Sequence, residues 1–150
     1  MSLATVRTRA KLGIEAPMVS VEVHLSNGMP AFNIVGLPET AVKESKDRVR
    51  SAIINAHFDF PARRITINLA PAELPKEGTR FDLAIAIGIL AASGQVPMEL
   101  LEQHEFIGEL ALSGELRPIE ALLPSAMACA GAGRVLVIST GNANEATLVE

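Results

Sequence analysis

Apolar and polar residues alternate through positions 5–11 and again through 18–25, with Ala16-Pro17 between the two stretches. That period of two predicts paired strands of a hairpin or meander. Asn27-Gly28 is a tight-turn signal, and 32–35 reads as a third strand. The period then changes. Behind Gly36-Leu37-Pro38-Glu39, residues Val42, Val49, Ala52, Ile53 and Ala56 share one face at helical spacing. They predict a single helix over 39–57, roughly five turns long. Alternation returns at 64–69, where Ile65, Ile67 and Leu69 point one way. Residues 81–93 are apolar nearly all round, as in a buried central helix, and Gly94 closes it. Further on, 98–103 reads as a short helix. The stretches 105–110 and 115–119 flank Ser113-Gly114 as a hairpin. A helix over 124–130 has Pro124 in its first turn and Gly131 at its end, and 134–138 is a strand. Residues 142–150 start a helix without a stop signal, so the natural polypeptide is expected to continue past Glu150. Strands mixed with helices in this order give an α+β (mixed α/β) fold class.

Composition narrows the picture. A chain of 150 residues is one domain's worth and can bury a sizeable core. With no Trp or Tyr, that core must be aliphatic. No apolar run reaches the ~18–20 residues of a membrane span, and the N-terminus lacks a signal-peptide pattern. The single cysteine, Cys129, rules out an intrachain disulfide and fits a reducing, cytoplasmic setting. No Lys, Arg or His within a helical turn would activate it, so it reads as a buried small residue.

Charge is uneven. Residues 1–80 carry eleven Lys/Arg against eight Asp/Glu, a net +3; residues 81–150 carry two against nine, a net −7. Lys43, Lys46 and Arg50 form a stripe at i, i+3 and i+7 that suits phosphates or an acidic partner. Glu39–Lys43 and Glu44–Arg48, however, have the spacing of ordinary helix ion pairs, so a solvated helix face is the plainer reading. Arg63, Arg64, Lys76 and Arg80 flank the fourth strand and its loop, and complete the set of candidate DNA or partner contacts.

The loop at 70–78 is built like an active-site turn, a stiff Pro/Gly segment between a strand and an apolar helix. It has no obvious nucleophile. A phosphate-cradling Gly-x-x-x-x-Gly-Lys-Ser/Thr is absent. Gly131-Ala132-Gly133 follows a helix rather than a strand, outside the dinucleotide-binding context. His24, His57 and His104 are scattered without metal-ligand spacing, and each reads as structural. No catalytic, cofactor-binding or metal residue is assigned.

Three segments resemble the N-terminal domain of the ComM/YifB family of Mg-chelatase-like AAA+ ATPases. They are Val-Gly-Leu-Pro-Glu-Thr-Ala-Val-Lys-Glu at 35–44, Arg-Val-Arg-Ser-Ala-Ile at 48–53, and Asn-Leu-Ala-Pro-Ala-Glu-Leu-Pro-Lys-Glu-Gly at 68–78. The stretch 108–119 fits as well. That domain is similar in turn to the proteolytic domain of Lon, which implies a ribosomal protein S5 domain 2-like fold. Lon's nucleophile loop reads Pro-Lys-Asp-Gly-Pro-Ser-Ala-Gly. Pro75-Lys76-Glu77-Gly78 match it, but the serine position falls on Arg80. Lon's partner lysine would fall near Leu123, and no lysine follows Lys76. A Ser–Lys mechanism needs an amine to deprotonate the hydroxyl, so this chain should not be a peptidase of that kind.

The resemblance implies a single Lon-like domain over 1–150, followed by a AAA+ module that binds ATP and Mg²⁺. It further implies a homo-hexamer acting as an ATP-dependent DNA helicase and branch-migration factor in natural transformation. The domain's partners would be its own AAA+ module, other subunits and DNA, with no membrane contact. Two alternatives stand beside this reading: a ring-assembly module without DNA contact, and a cryptic hydrolase using Thr79 or Ser125. Nothing in the sequence suggests porphyrin or metal insertion.

Overall fold

The alternating N-terminal segments pair as expected. In the computed structural model, which describes residues 2–149, β1 (Ser2–Arg9) runs antiparallel to β2 (Met18–Ser26), with Val6 opposite Val21. β4 (Arg64–Ala70) adds antiparallel to the other side of β2. β3 (Ala31–Val35) pairs parallel with β4, not with β2, so the Asn27-Gly28 turn does not close a hairpin. β5 (His104–Phe106) and β8 (Val135–Val137) extend the sheet on the β1 side, both in parallel pairings. The order is β3-β4-β2-β1-β5-β8, a mixed sheet in an α+β fold.

One sheet face is dry. Val6, Val19, Val21, Val23, Leu25, Ile65, Ile67 and Leu69 are all fully buried on it. Against them lies α3 (Asp82–Ala92), which packs across β1 and β2. Gly88 permits that approach: a Cβ there would sit 2.4 Å from Val23 Cγ2. A helix packed on one side by the sheet and on the other by α2 (Ser45–Asn55) has no wet face, and this accounts for its all-round apolar sequence.

The helix expected over 39–57 is broken. It forms α1 (Thr40–Lys43) and α2 (Ser45–Asn55). The Ala41 carbonyl, which a continuous helix would use for its own ladder, accepts instead from Arg48 Nη2 at 3.0 Å. Val42, Val49, Ala52 and Ile53 are buried as expected, but Ala56 is exposed beyond the helix end.

The hairpin expected over 105–119 is also reorganised. Its first half splits at Ile107-Gly108. β5 joins the main sheet, and only β6 (Glu109–Leu110) pairs with β7 (Leu116–Arg117). The buried Glu105 explains the split. Its carboxylate accepts from Arg9 at 2.6 and 2.9 Å and from Arg134 at 3.1 Å, which ties β5 to both neighbouring strands.

The segment 98–103 shortens to one 3-10 turn, Leu101–Gln103. α4 spans Leu122–Gly131, starting two residues before Pro124. The last helix, α5, covers only Ala143–Ala146; the helix expected over 142–150 stops there, residues 147–149 being non-helical, and Glu150 lies outside the described residues. No helix among the described residues is long and apolar enough to cross a membrane.

Candidate functional site

The loop after β4 is locked to the turn after β3. Gly36 has φ +103°, and a Cβ there would lie 2.2 Å from the Leu69 carbonyl oxygen. Only glycine lets the two backbones meet so closely. Next to it, Lys76 N–H donates to the Leu37 carbonyl at 3.2 Å, and Glu39 N–H donates to the Lys76 carbonyl at 2.9 Å. The Glu39 carboxylate accepts from Gly78 N–H at 3.2 Å.

Lys76 is fully buried inside this clasp. Its Nζ donates to the Gly36 carbonyl at 2.7 Å and to the Pro71 carbonyl. Burial pushes its pKa down, with Glu73 pulling the other way. The expectation that Lys76 meets DNA or a partner is therefore corrected: the ammonium closes its own loop. Sequence could not show this, because a lysine in a Pro/Gly loop ordinarily faces solvent.

Arg80 is likewise withdrawn from the surface, at 4% exposure, so it too is corrected as a contact residue. Its Nη2 donates to the hydroxyl of Ser125, in the first turn of α4, at 3.3 Å. Nε and Nη1 have no partner among the described residues. Burial lowers its pKa to about 10, against the favourable field of Glu145. The guanidinium, at the sequence position that the Lon resemblance gives to the nucleophile, is thus bonded to a buried hydroxyl.

The cleft outside this point, about 500 Å³, is lined by Glu39, Glu77, Glu109 and Glu120 against Lys11 and Arg80. Four carboxylates against two cations make poor terrain for a polyanion. Thr79 also lines it.

The N-terminal end of α3 is fixed by an ion pair that sequence reading did not anticipate. Arg48 donates to both carboxylate oxygens of Asp82, Nε at 2.7 Å and Nη2 at 3.0 Å. Leu110 N–H adds a third hydrogen bond at 3.1 Å. The bond to Asp82 raises the Arg48 pKa and outweighs its burial. The expected Glu44–Arg48 helix pair gives way to this longer-range partner. Glu39 is likewise engaged with Gly78 rather than with Lys43.

Two of the remaining basic candidates, Arg50 and Arg63, meet at a second cleft. Arg50, exposed on α2, places its guanidinium 5.4 Å from the ring centroid of Phe60. Arg63 is half-buried and donates to the Leu25 carbonyl at 3.4 Å. Both line a cleft of about 470 Å³ with Phe32, Phe58 and Phe60. Arg64, the first residue of β4, is exposed next to Arg63. Lys43 is exposed and Lys46 half-buried on the same helical segment as Arg50, and neither lines the cleft. The gathering of three of the five phenylalanines around two arginines was not recognised in the sequence. Its one local signal was Phe58-Asp59-Phe60 directly ahead of Arg63-Arg64.

Cys129 is buried, and its thiol pKa is pushed up to about 11, first by desolvation and then by Glu105. No His/Cys/Asp/Glu cluster able to hold a metal occurs among the described residues.

The α+β fold thus carries, on a mixed sheet, a clasped loop with Arg80 beside the buried Ser125. Residues 21–142 match the family described as subunit ChlI of Mg-chelatase, and the chain belongs to that family. Within it the chain falls with the ComM/YifB proteins. It is 60% identical over 149 residues to competence protein ComM of Haemophilus influenzae. It is 56% identical to YifB of Salmonella typhimurium and 53% identical to YifB of Escherichia coli. Each match covers 99% of this chain and 29% of the relative, so the chain spans less than a third of those proteins.

Proposed function

We propose that this chain is a non-catalytic, Lon-like accessory domain of a AAA+ ATPase, and that it contributes a DNA contact to the motor. In this reading the full polypeptide is a cytoplasmic, hexameric, ATP-dependent DNA helicase that drives branch migration in natural transformation. ATP and Mg²⁺ belong to the AAA+ module. The observation that carries the non-catalytic part is the 3.3 Å contact of Arg80 with Ser125, with Lys76 committed to two backbone carbonyls. A buried guanidinium cannot serve as a general base at neutral pH, and Lys76, the lysine of this loop, is held by the Gly36 and Pro71 carbonyls. Similarity to a protein named for competence supports the DNA part.

The test has two arms. Incubation with casein and with a fluorophosphonate probe is expected to give no cleavage and no label. Labelling that disappears in Thr79→Ala would establish the hydrolase instead. In the full-length protein, DNA affinity is expected to fall with salt and to weaken in Arg64→Ala and Lys46→Ala. If both substitutions leave it unchanged, the DNA contact is elsewhere.

A ring-assembly role has one observation in its favour. Ile14 is 92% exposed at the tip of the β1–β2 connection, and it shares a shallow apolar depression with Pro124 and Met127.

A further inference from the structure

We infer that the cleft between α2, the start of β3 and residues 58–63 is a seat for an unstacked base of single-stranded nucleic acid, with Arg50 and Arg63 taking the adjoining phosphates. This rests on the DNA reading above and assigns it a place.

Three observations converge. The first is the aromatic floor. Phe32 and Phe60 pack with ring centroids 5.7 Å apart and tilted, while Phe58 remains 40% exposed beside them. A partly exposed ring in an aromatic-lined cleft offers a π face that any nucleobase can use.

The second is charge. Arg50 and Arg63 line the cleft against one carboxylate, Asp59, and Arg64 lies exposed next to Arg63. The balance is opposite to that of the glutamate-lined cleft near Arg80. Arg50 already stands over Phe60, so its guanidinium is positioned both to stack and to meet a phosphate.

The third is rigidity. Asp59 N–H donates to Gln95 Oε1 at 2.9 Å, and Gln95 Nε2 returns a bond to the Asp59 carbonyl at 2.8 Å. His57, in the left-handed conformation at φ +69°, ends α2 and lets Phe58 N–H reach back to the Ile53 carbonyl at 3.1 Å. The loop carrying Phe58 is therefore held before any ligand arrives, which lowers the ordering cost of binding. A duplex keeps its bases stacked inside and cannot present a face to these rings, and an acidic peptide would leave the aromatic floor unused.

The test is fluorescence anisotropy of a labelled oligothymidylate of about 15 nucleotides, titrated with the 150-residue chain and compared with a duplex of equal length. The single strand is expected to bind more tightly. Phe58→Ala and Arg50→Gln should each weaken it about tenfold, while Phe58→Trp retains it. Both side chains are exposed, and thermal melts of each variant check that the fold is kept.

If the chain binds the single strand and neither substitution matters, this cleft is the wrong place although the DNA reading survives. If the chain binds no DNA, both fall. A dimer seen by sedimentation and lost in Phe58→Ala would make the cleft a subunit contact and overturn the proposal.

Discussion

Arg80 Nη2 and Ser125 Oγ lie 3.3 Å apart, joining the start of α3 to the first turn of α4 across 45 residues of sequence. The contact sets a permanent cation where the Lon resemblance places a nucleophile, and leaves two of its nitrogens without partners among the described residues. An unpaired buried charge costs free energy. Replacing Arg80 with methionine, of similar length and no charge, should therefore leave stability unchanged or raise it by about 1–3 kcal/mol. Thermal denaturation of Arg80→Met checks this; a large loss would mean that the guanidinium has compensating partners.

The opposite outcome is expected at Asp82. It is 1% exposed and accepts three hydrogen bonds, two from Arg48 and one from Leu110 N–H. Asp82→Ala strands all three donors and should cost about 3–5 kcal/mol. Urea denaturation read by circular dichroism measures it, and a loss below 1 kcal/mol would contradict a tightly coupled pair.

Lys76→Met is expected to destabilise by about 2–4 kcal/mol, because the Gly36 and Pro71 carbonyls lose their charged donor inside the clasp. The same variant should leave DNA affinity unaltered once refolded protein is compared at equal folded fraction, because the side chain has no exposed surface.

Cys129 gives a pH signature. Its pKa moves from an ordinary 9.0 to about 11 in the fold. A folded-state value above the unfolded one favours the neutral thiol. The resulting stability is complete below the unfolded pKa and is lost as pH rises through about 11. Between those limits the wild-type chain should lose stability faster than Cys129→Ala. Thiol labelling at pH 8 should run about 100-fold slower in the folded chain than in urea, because so little of the buried thiol is ionised. Equal rates would place the thiol in contact with solvent.

His57 holds a positive φ of 69° at the end of α2, a place where glycine is usual. His57→Gly should stabilise the chain by about 1 kcal/mol through relief of that strain, readable as a rise in melting temperature.

What the sequence determined by itself is what depends on neighbours along the chain. Alternation at 18–25 and 64–69 placed two central strands and their dry face, since a strand's side chains must alternate. The apolar run from Leu83 to Ala92 announced a helix with no wet side. The kept Pro75-Lys76-Glu77-Gly78 frame, with arginine where Lon has serine, was legible as residue identity alone.

Only the tertiary structure decided which charges are spent internally. Arg48 and Arg50 are two residues apart on one helix, yet the first turns inward to Asp82 and the second stays out over Phe60. Lys76 and Arg80 looked like surface cations and are buried. Glu105 redirected a predicted hairpin strand into the sheet because Arg9 and Arg134 await it on either side. These outcomes depend on partners up to 96 residues away. A local pattern fixes which face a side chain takes, but not what stands opposite it; that is set only when the chain folds and brings distant segments together.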